Sequence, residues 1–192
     1  MFTPQLYKTI LLLFVTGVPL WFLLRSFFRH QAGIGNTLLQ LGFFMYCLTV
    51  LAVTVVPLPF ARHKSAAAQG INLVPLRNNY IIVQNVIHAN KEFLLPHLMQ
   101  NILGNIVLFM PLGLLLRWVA GQRFTLYTVL LTGFLASMSI EIIQWIERRY
   151  GIYRSVDIDD VILNTTGTLL GWWLFLLVRK AAGSRSNQNN HA

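Results

Sequence analysis

About five apolar stretches, each near the roughly 20 residues that a helix needs to cross a bilayer, govern what this chain can fold into. They run over residues 7–28, 37–56, 98–120, 124–146 and 161–178. Of the 192 residues, 55% are hydrophobic and 11% charged, against about 25% charged in an ordinary soluble domain. A water-soluble fold is thereby excluded, and an all-α, polytopic transmembrane bundle is expected. The net charge of +9 does not indicate nucleic acid. Its Lys and Arg stand in twos and threes beside apolar runs rather than along one polar face, which is how membrane proteins place them. Cys47 lies alone within an apolar stretch, so it forms no internal disulfide and reads as an inert packing residue.

The first stretch is too long in its apolar part for a signal peptide, and the "RSFFRH" after it offers no small-residue cleavage site. It is taken as a helix of the mature chain, so that residues 1–36 hold an N-terminal span and short loop, 37–178 a four-helix core, and 179–192 a polar tail expected to be disordered. Between the second and third spans lies a connection of about 40 residues containing "NLVPL" and a partly apolar "NYIIVQNVI" suited to the membrane surface.

If successive helices alternate direction, one membrane face gathers the start of the third, the end of the fourth, the start of the fifth and this long connection. Polar residues accumulate there at helical spacing: His97, Asn101 and Asn105; Ser137, Glu141, Gln144 and Arg148; Asp160, Asn164, Gly167 and Gly171. Basic residues are almost balanced between the two faces. Arg25 and Arg29, the "RWVAGQR" connection and "RK" at 179–180 lean toward the opposite one, which places the amino terminus and the polar face outside the cytoplasm.

The chain has only six Asp plus Glu, and "RSVDIDDVILNTTGTLLG" puts three of them, Asp157, Asp159 and Asp160, at the mouth of the last span. One or two can cap that helix, where side-chain oxygens accept from free amides and the dipole favours negative charge. The others remain to pair with Arg148, Arg149 and Arg154 or to meet a ligand. Glu141 sits inside a span, where a charge is costly and a partner is required. Either it pairs with Arg148 or Arg149, or it is a carboxyl in a low-dielectric cleft suited to general acid or base work.

A divalent cation held by Glu141, Asp157 and Asp160 would suit oxygen ligands, but no ligand spacing is diagnostic, and no cofactor is expected. His88 and His97 are not spaced as a helical metal pair. Arg154 can grip an anion through two parallel hydrogen bonds, or rest on a lipid headgroup. Asn101 and Asn105 fit interhelical hydrogen bonding, while Gly167 and Gly171 form the small-xxx-small pattern of close helix packing. Pro111 is placed to kink the third span.

Taken in order, "NLVPL" (72–76), "GNIVLFMPLGLLL" (104–116), "SIEIIQ" (139–144) and "RSVDIDDVILNTTGTLLG" (154–171) resemble the VanZ-like family of small bacterial membrane proteins. The likeness covers roughly residues 49–177 and leaves out the first helix and the tail. It implies a four-helix membrane core, with family positions at Asn72, Pro75, Asn105, Pro111, Gly113, Glu141, Gln144, Asp157, Asp160, Asn164, Gly167 and Gly171. The family's namesake confers low-level resistance to teicoplanin, a phenotype that carries over only by analogy.

Residues and resemblance together suggest an envelope-facing protein of the bacterial inner membrane that binds or modifies an amphiphilic or lipid-linked surface molecule. In that reading Glu141 is the acid or base, and Asp157 and Asp160 orient a ligand or ion. Arg154 holds an anionic group, and Asn72, Asn105, Gln144 and Asn164 supply hydrogen bonds. The competing reading is a noncatalytic scaffold or partner protein whose polar residues serve helix packing. Transport fits poorly, because four or five helices without inverted repeats make a weak alternating-access machine.

Overall fold

A computed structural model describes residues 17–19, 21, 34–55, 70–89, 91–120, 125–150 and 155–189. In chain order these form α1 (Ile34–Val55), β1 (Ile71–Asn72), α2 (Arg77–Ala89), a 3-10 turn (Glu92–Leu94) leading into α3 (Leu95–Ala120), α4 (Leu126–Arg149), β2 (Val156–Asp157) and α5 (Ile158–Asn189). The helical bundle anticipated from hydropathy is the fold. Among the described residues four helices are long and apolar enough to cross a membrane, over Thr37–Val55, Glu92–Val119, Leu126–Arg149 and Ile158–Ala182. The span expected at 7–28 lies outside the described residues except for 17–19 and 21, where Gly17 packs against Leu48 of α1 and Trp21 is buried.

The helices overrun the apolar stretches that announce them. Hydropathy falls at the first charges, whereas a helix ends where its backbone groups find caps. So α3 begins at Leu95 and α4 runs on to Arg149. At its start, α4 is capped by Thr125, whose side chain accepts from Thr128 N at 3.4 Å. Past Val178, where disorder is expected, α5 stays helical to Asn189. That segment has no proline to stop it.

The tightest helix pair is α3 with α5. Cβ atoms added at Gly167 and Gly171 would strike the backbone carbonyls of Ile106 and Met110, so the two backbones touch where side chains would ordinarily hold them apart. Gly113 makes the reciprocal approach to Thr168 O. Around this seam Val50, Phe109, Leu112, Leu116 and Ile140 form the core. Pro111 lies inside α3, and beside it Tyr46 Oη donates to Leu108 O at 2.7 Å, joining α1 to the stretch of helix that proline weakens.

Two strands of two residues each were not anticipated, being too short to show an alternating pattern. They pair in parallel, Ile71 opposite Val156 and Asn72 opposite Asp157, and so tie the long connection to the start of α5.

That start is sunk below its neighbours. Asn105, which meets Asp160, is ten residues past Leu95, about 15 Å along α3 at 1.5 Å per residue. Glu141, which meets Asp157, is eight residues before Arg149, about 12 Å below the end of α4. The β pair and the first turn of α2 occupy the recess that this leaves.

Candidate functional site

The carboxylates at the mouth of α5 are gathered by amides. Asp157 ends β2 and caps α5: its Oδ1 accepts from Asp159 N at 3.0 Å, the usual bond of a helix N-cap. The same oxygen accepts from Asn72 Nδ2 at 2.8 Å, and Oδ2 accepts from Asn78 Nδ2 at 2.7 Å. Both oxygens are therefore engaged, and the residue is buried.

Asp159, 1% exposed, is turned toward the long connection. Its Oδ1 accepts from Leu76 N at 2.5 Å and its Oδ2 from Asn79 Nδ2 at 3.2 Å. Leu76 has φ 62°, a left-handed conformation that leucine seldom adopts, and this bond holds it there. Asp160 points the other way, its Oδ1 accepting from Asn105 Nδ2 at 2.6 Å. Asn105 Nδ2 in turn reaches Asn101 Oδ1 at 3.5 Å. The polar stripe expected on α3 thus runs into Asp160.

Glu141, buried on α4, accepts the backbone amide of Asp157 through Oε2 at 2.9 Å. It meets the peptide of Asp157 rather than its carboxylate, so the three acids do not close on a common point. Among the described residues no three His, Cys, Asp or Glu form a metal-holding group. Of the two arginines considered for Glu141, Arg149 has its guanidinium over the Trp145 ring, 4.8 Å from its centroid.

Gln144 and Asn164, both expected at a ligand, each bond to a neighbouring helix. Gln144 does not line the site: its Nε2 donates to Thr54 O at 3.0 Å, a carbonyl in the last turn of α1 that no intrahelical amide can reach. A step of three residues from Glu141 turns the helix by about 300°, enough to move Gln144 from the α5 side to the α1 side. Asn164, 3% exposed, donates to Ser137 Oγ at 2.8 Å, while its buried Oδ1 has no partner among the described residues. Arg154 lies outside the described residues.

The acids face two different spaces. On one side is a cavity of about 650 Å³ bordered by Asn72, Asp157 and Asp160, by Arg77, Asn78, Asn79, Ile81 and Ile82 of α2, and by His97 and Asn101 of α3. On the other is an apolar pocket of about 170 Å³ among Leu73, Met138, Ile142, Trp145, Val156, Ile158 and Val161, with Glu141 and Asp157 in its wall. Asp157 separates the two. No spacing or periodicity in the sequence marks the wall supplied by Arg77, Asn78 and Asn79, or the role of Asp159 in holding it. Its only trace there is the amide-rich "NLVPLRNN" in a connection facing three unpaired acids.

Compared with known proteins, residues 43–179 match a family model described as VanZ/LLP1, about seven-tenths of the chain. No curated protein and no solved structure matches.

Proposed function

Because this chain belongs to the VanZ/LLP1 family and is a multi-pass membrane protein, we propose that its polar cavity binds the head group of an amphiphilic or lipid-linked molecule of the bacterial cell envelope. One observation carries the reading: Asp157 is a wall common to a polar cavity of about 650 Å³ and an apolar pocket of about 170 Å³. An amphiphile has that same change of polarity along its length. Ile142 and Trp145, which line the apolar pocket, are 51% and 41% exposed on the outside of α4. Hydrocarbon can therefore reach the pocket from the bilayer, and a tryptophan suits the headgroup boundary.

The cavity's volume lies within the range of about 300–1,000 Å³ usual for small-molecule sites. In it Asp157, with both oxygens occupied, is a fixed wall, and Asp160 is the carboxylate with an oxygen to offer. Any proton transfer at the head group falls to Asp160, which borders the polar cavity, rather than to Glu141, which borders the apolar pocket. The polar face is read as extracytoplasmic, on the inner membrane. Altered teicoplanin susceptibility is the phenotype that the family's namesake suggests, and deleting the gene tests it directly.

The test of the binding reading is native mass spectrometry of the purified full chain with an envelope lipid extract. The wild type should retain a saturable amphiphile, and the double variant Asn101→Ala/Asp160→Ala, compared well below its own thermal transition, should lose it. Equal retention by both refutes the reading.

A further inference from the structure

The groups lining the polar cavity divide into those whose hydrogen bonds are used within the protein and those with bonds to give. Asn72, Asn78 and Asn79 donate to Asp157 and Asp159, and Asp157 is itself fully engaged, while Asn79 Oδ1 is buried without a partner among the described residues. Arg77 is different. It stands exposed in the first turn of α2 on the cavity wall, and its guanidinium bonds no described residue. Asn101 spends its oxygen on Asn105 and keeps its amide hydrogens. His97 lines the same space without a partner among the described residues. On the accepting side, Asp160 Oδ2 receives no bond from a described residue, while Oδ1 is held by Asn105.

Among the described residues the cavity therefore offers a cluster of donors centred on one permanent cation, Arg77, and on the accepting side one carboxylate oxygen of Asp160 beside the amide oxygen of Asn79. We propose that Arg77 is its anion-binding residue and Asp160 its donor-binding residue, so that the head group it takes is a phosphate ester bearing an ammonium or hydroxyl group. This inference rests on the amphiphile reading above and narrows it. A phosphate has more oxygens than a carboxylate, so it can meet the Arg77 fork and the Asn101 amide together. The ammonium or hydroxyl then supplies the hydrogen that Asp160 Oδ2 lacks. A trimethylated ammonium keeps the charge but has no hydrogen to donate, and it separates the two contacts experimentally.

The test titrates the purified full chain in detergent with phosphatidylethanolamine, phosphatidylglycerol and phosphatidylcholine, read by native mass spectrometry. Phosphatidylethanolamine and phosphatidylglycerol should bind at least tenfold more tightly than phosphatidylcholine. Arg77→Gln, an exposed position whose replacement should leave the thermal transition in place, should weaken all three lipids at least tenfold while preserving their order. Asp160→Asn should instead erase the order. O-phosphoethanolamine alone, bound with the same dependence on Arg77 and Asp160 and as tightly as the lipid, supports the head chemistry and identifies a soluble source.

Equal binding of the three lipids by the wild type, or unchanged binding by Arg77→Gln, overturns the proposal. Saturable binding of an uncharged glycolipid in their place, dependent on Asn101 and Asp160, overturns the phosphate assignment and leaves the amphiphile reading standing. Absence of saturable binding by any amphiphile removes both.

Discussion

Glu141 accepts the backbone amide of Asp157 at 2.9 Å, and this contact between a carboxylate in one span and a peptide at the mouth of the next sets the geometry of the site. With its amide held from the α4 side, Asp157 can turn its carboxylate toward Asn72 and Asn78. On this geometry the acceptor oxygen of Glu141 is expected to matter more to the fold than its charge. Glu141→Gln, which keeps an oxygen, should change stability by less than about 1 kcal/mol. Glu141→Ala leaves a buried amide unpaired and should cost about 1–3 kcal/mol, a drop of very roughly 2–4 °C per kcal/mol in the thermal transition. Equal losses from the two variants would contradict this role.

The bond between Asn78 Nδ2 and Asp157 Oδ2, 2.7 Å long, allows a test by exchange. Asp157→Asn alone sets donor against donor somewhere around the residue, and Asn78→Asp alone brings two carboxylates together. Combined, the substitutions restore one donor and one acceptor. The double variant should recover about 0.5–3 kcal/mol relative to the sum of the singles, measured as a double-mutant cycle on thermal unfolding. Additive losses would mean that the contact contributes nothing.

Why some of this was legible in the sequence and some was not follows from where the partners lie. The spans and the convergence of α3, α4 and α5 at one face follow from apolar length and helical periodicity. The meeting of Asn105 with Asp160 is the geometric consequence. The α2 wall carries no such pattern: Asn78, Asn79 and Leu76 lie 79 to 83 positions from the aspartates they bind. Gln144 turns toward α1 because a stripe at spacings of three and four is wide enough to serve two neighbours. Seen in sequence alone, its α1 contact is indistinguishable from a ligand contact.

The bond between Gln144 and Thr54 makes its own prediction. Gln144→Leu removes the donor to Thr54 O and should loosen the end of α1, costing about 1 kcal/mol for the lost bond. It should leave amphiphile retention unchanged, because Gln144 borders neither the cavity nor the apolar pocket. A loss of binding at unchanged stability would return it to the site.

The glycines at the seam of α3 and α5 differ from those on open helix faces. A methyl group at Gly167 meets the Ile106 carbonyl on α3, whereas one at Gly104 meets nothing within 4 Å. Gly167→Ala should therefore force the two helices apart, at the cost of about 1–3 kcal/mol typical of overpacking or more. Since Asn105 and Asp160 join the same two helices, their 2.6 Å bond should lengthen and amphiphile binding should weaken with it. Gly104→Ala should be neutral or slightly stabilising, because alanine is the better helix former by about 1 kcal/mol. Thermal unfolding and lipid retention measured on both variants decide the matter. If Gly167→Ala behaved like Gly104→Ala, the close approach of α3 and α5 would not be what holds the site together.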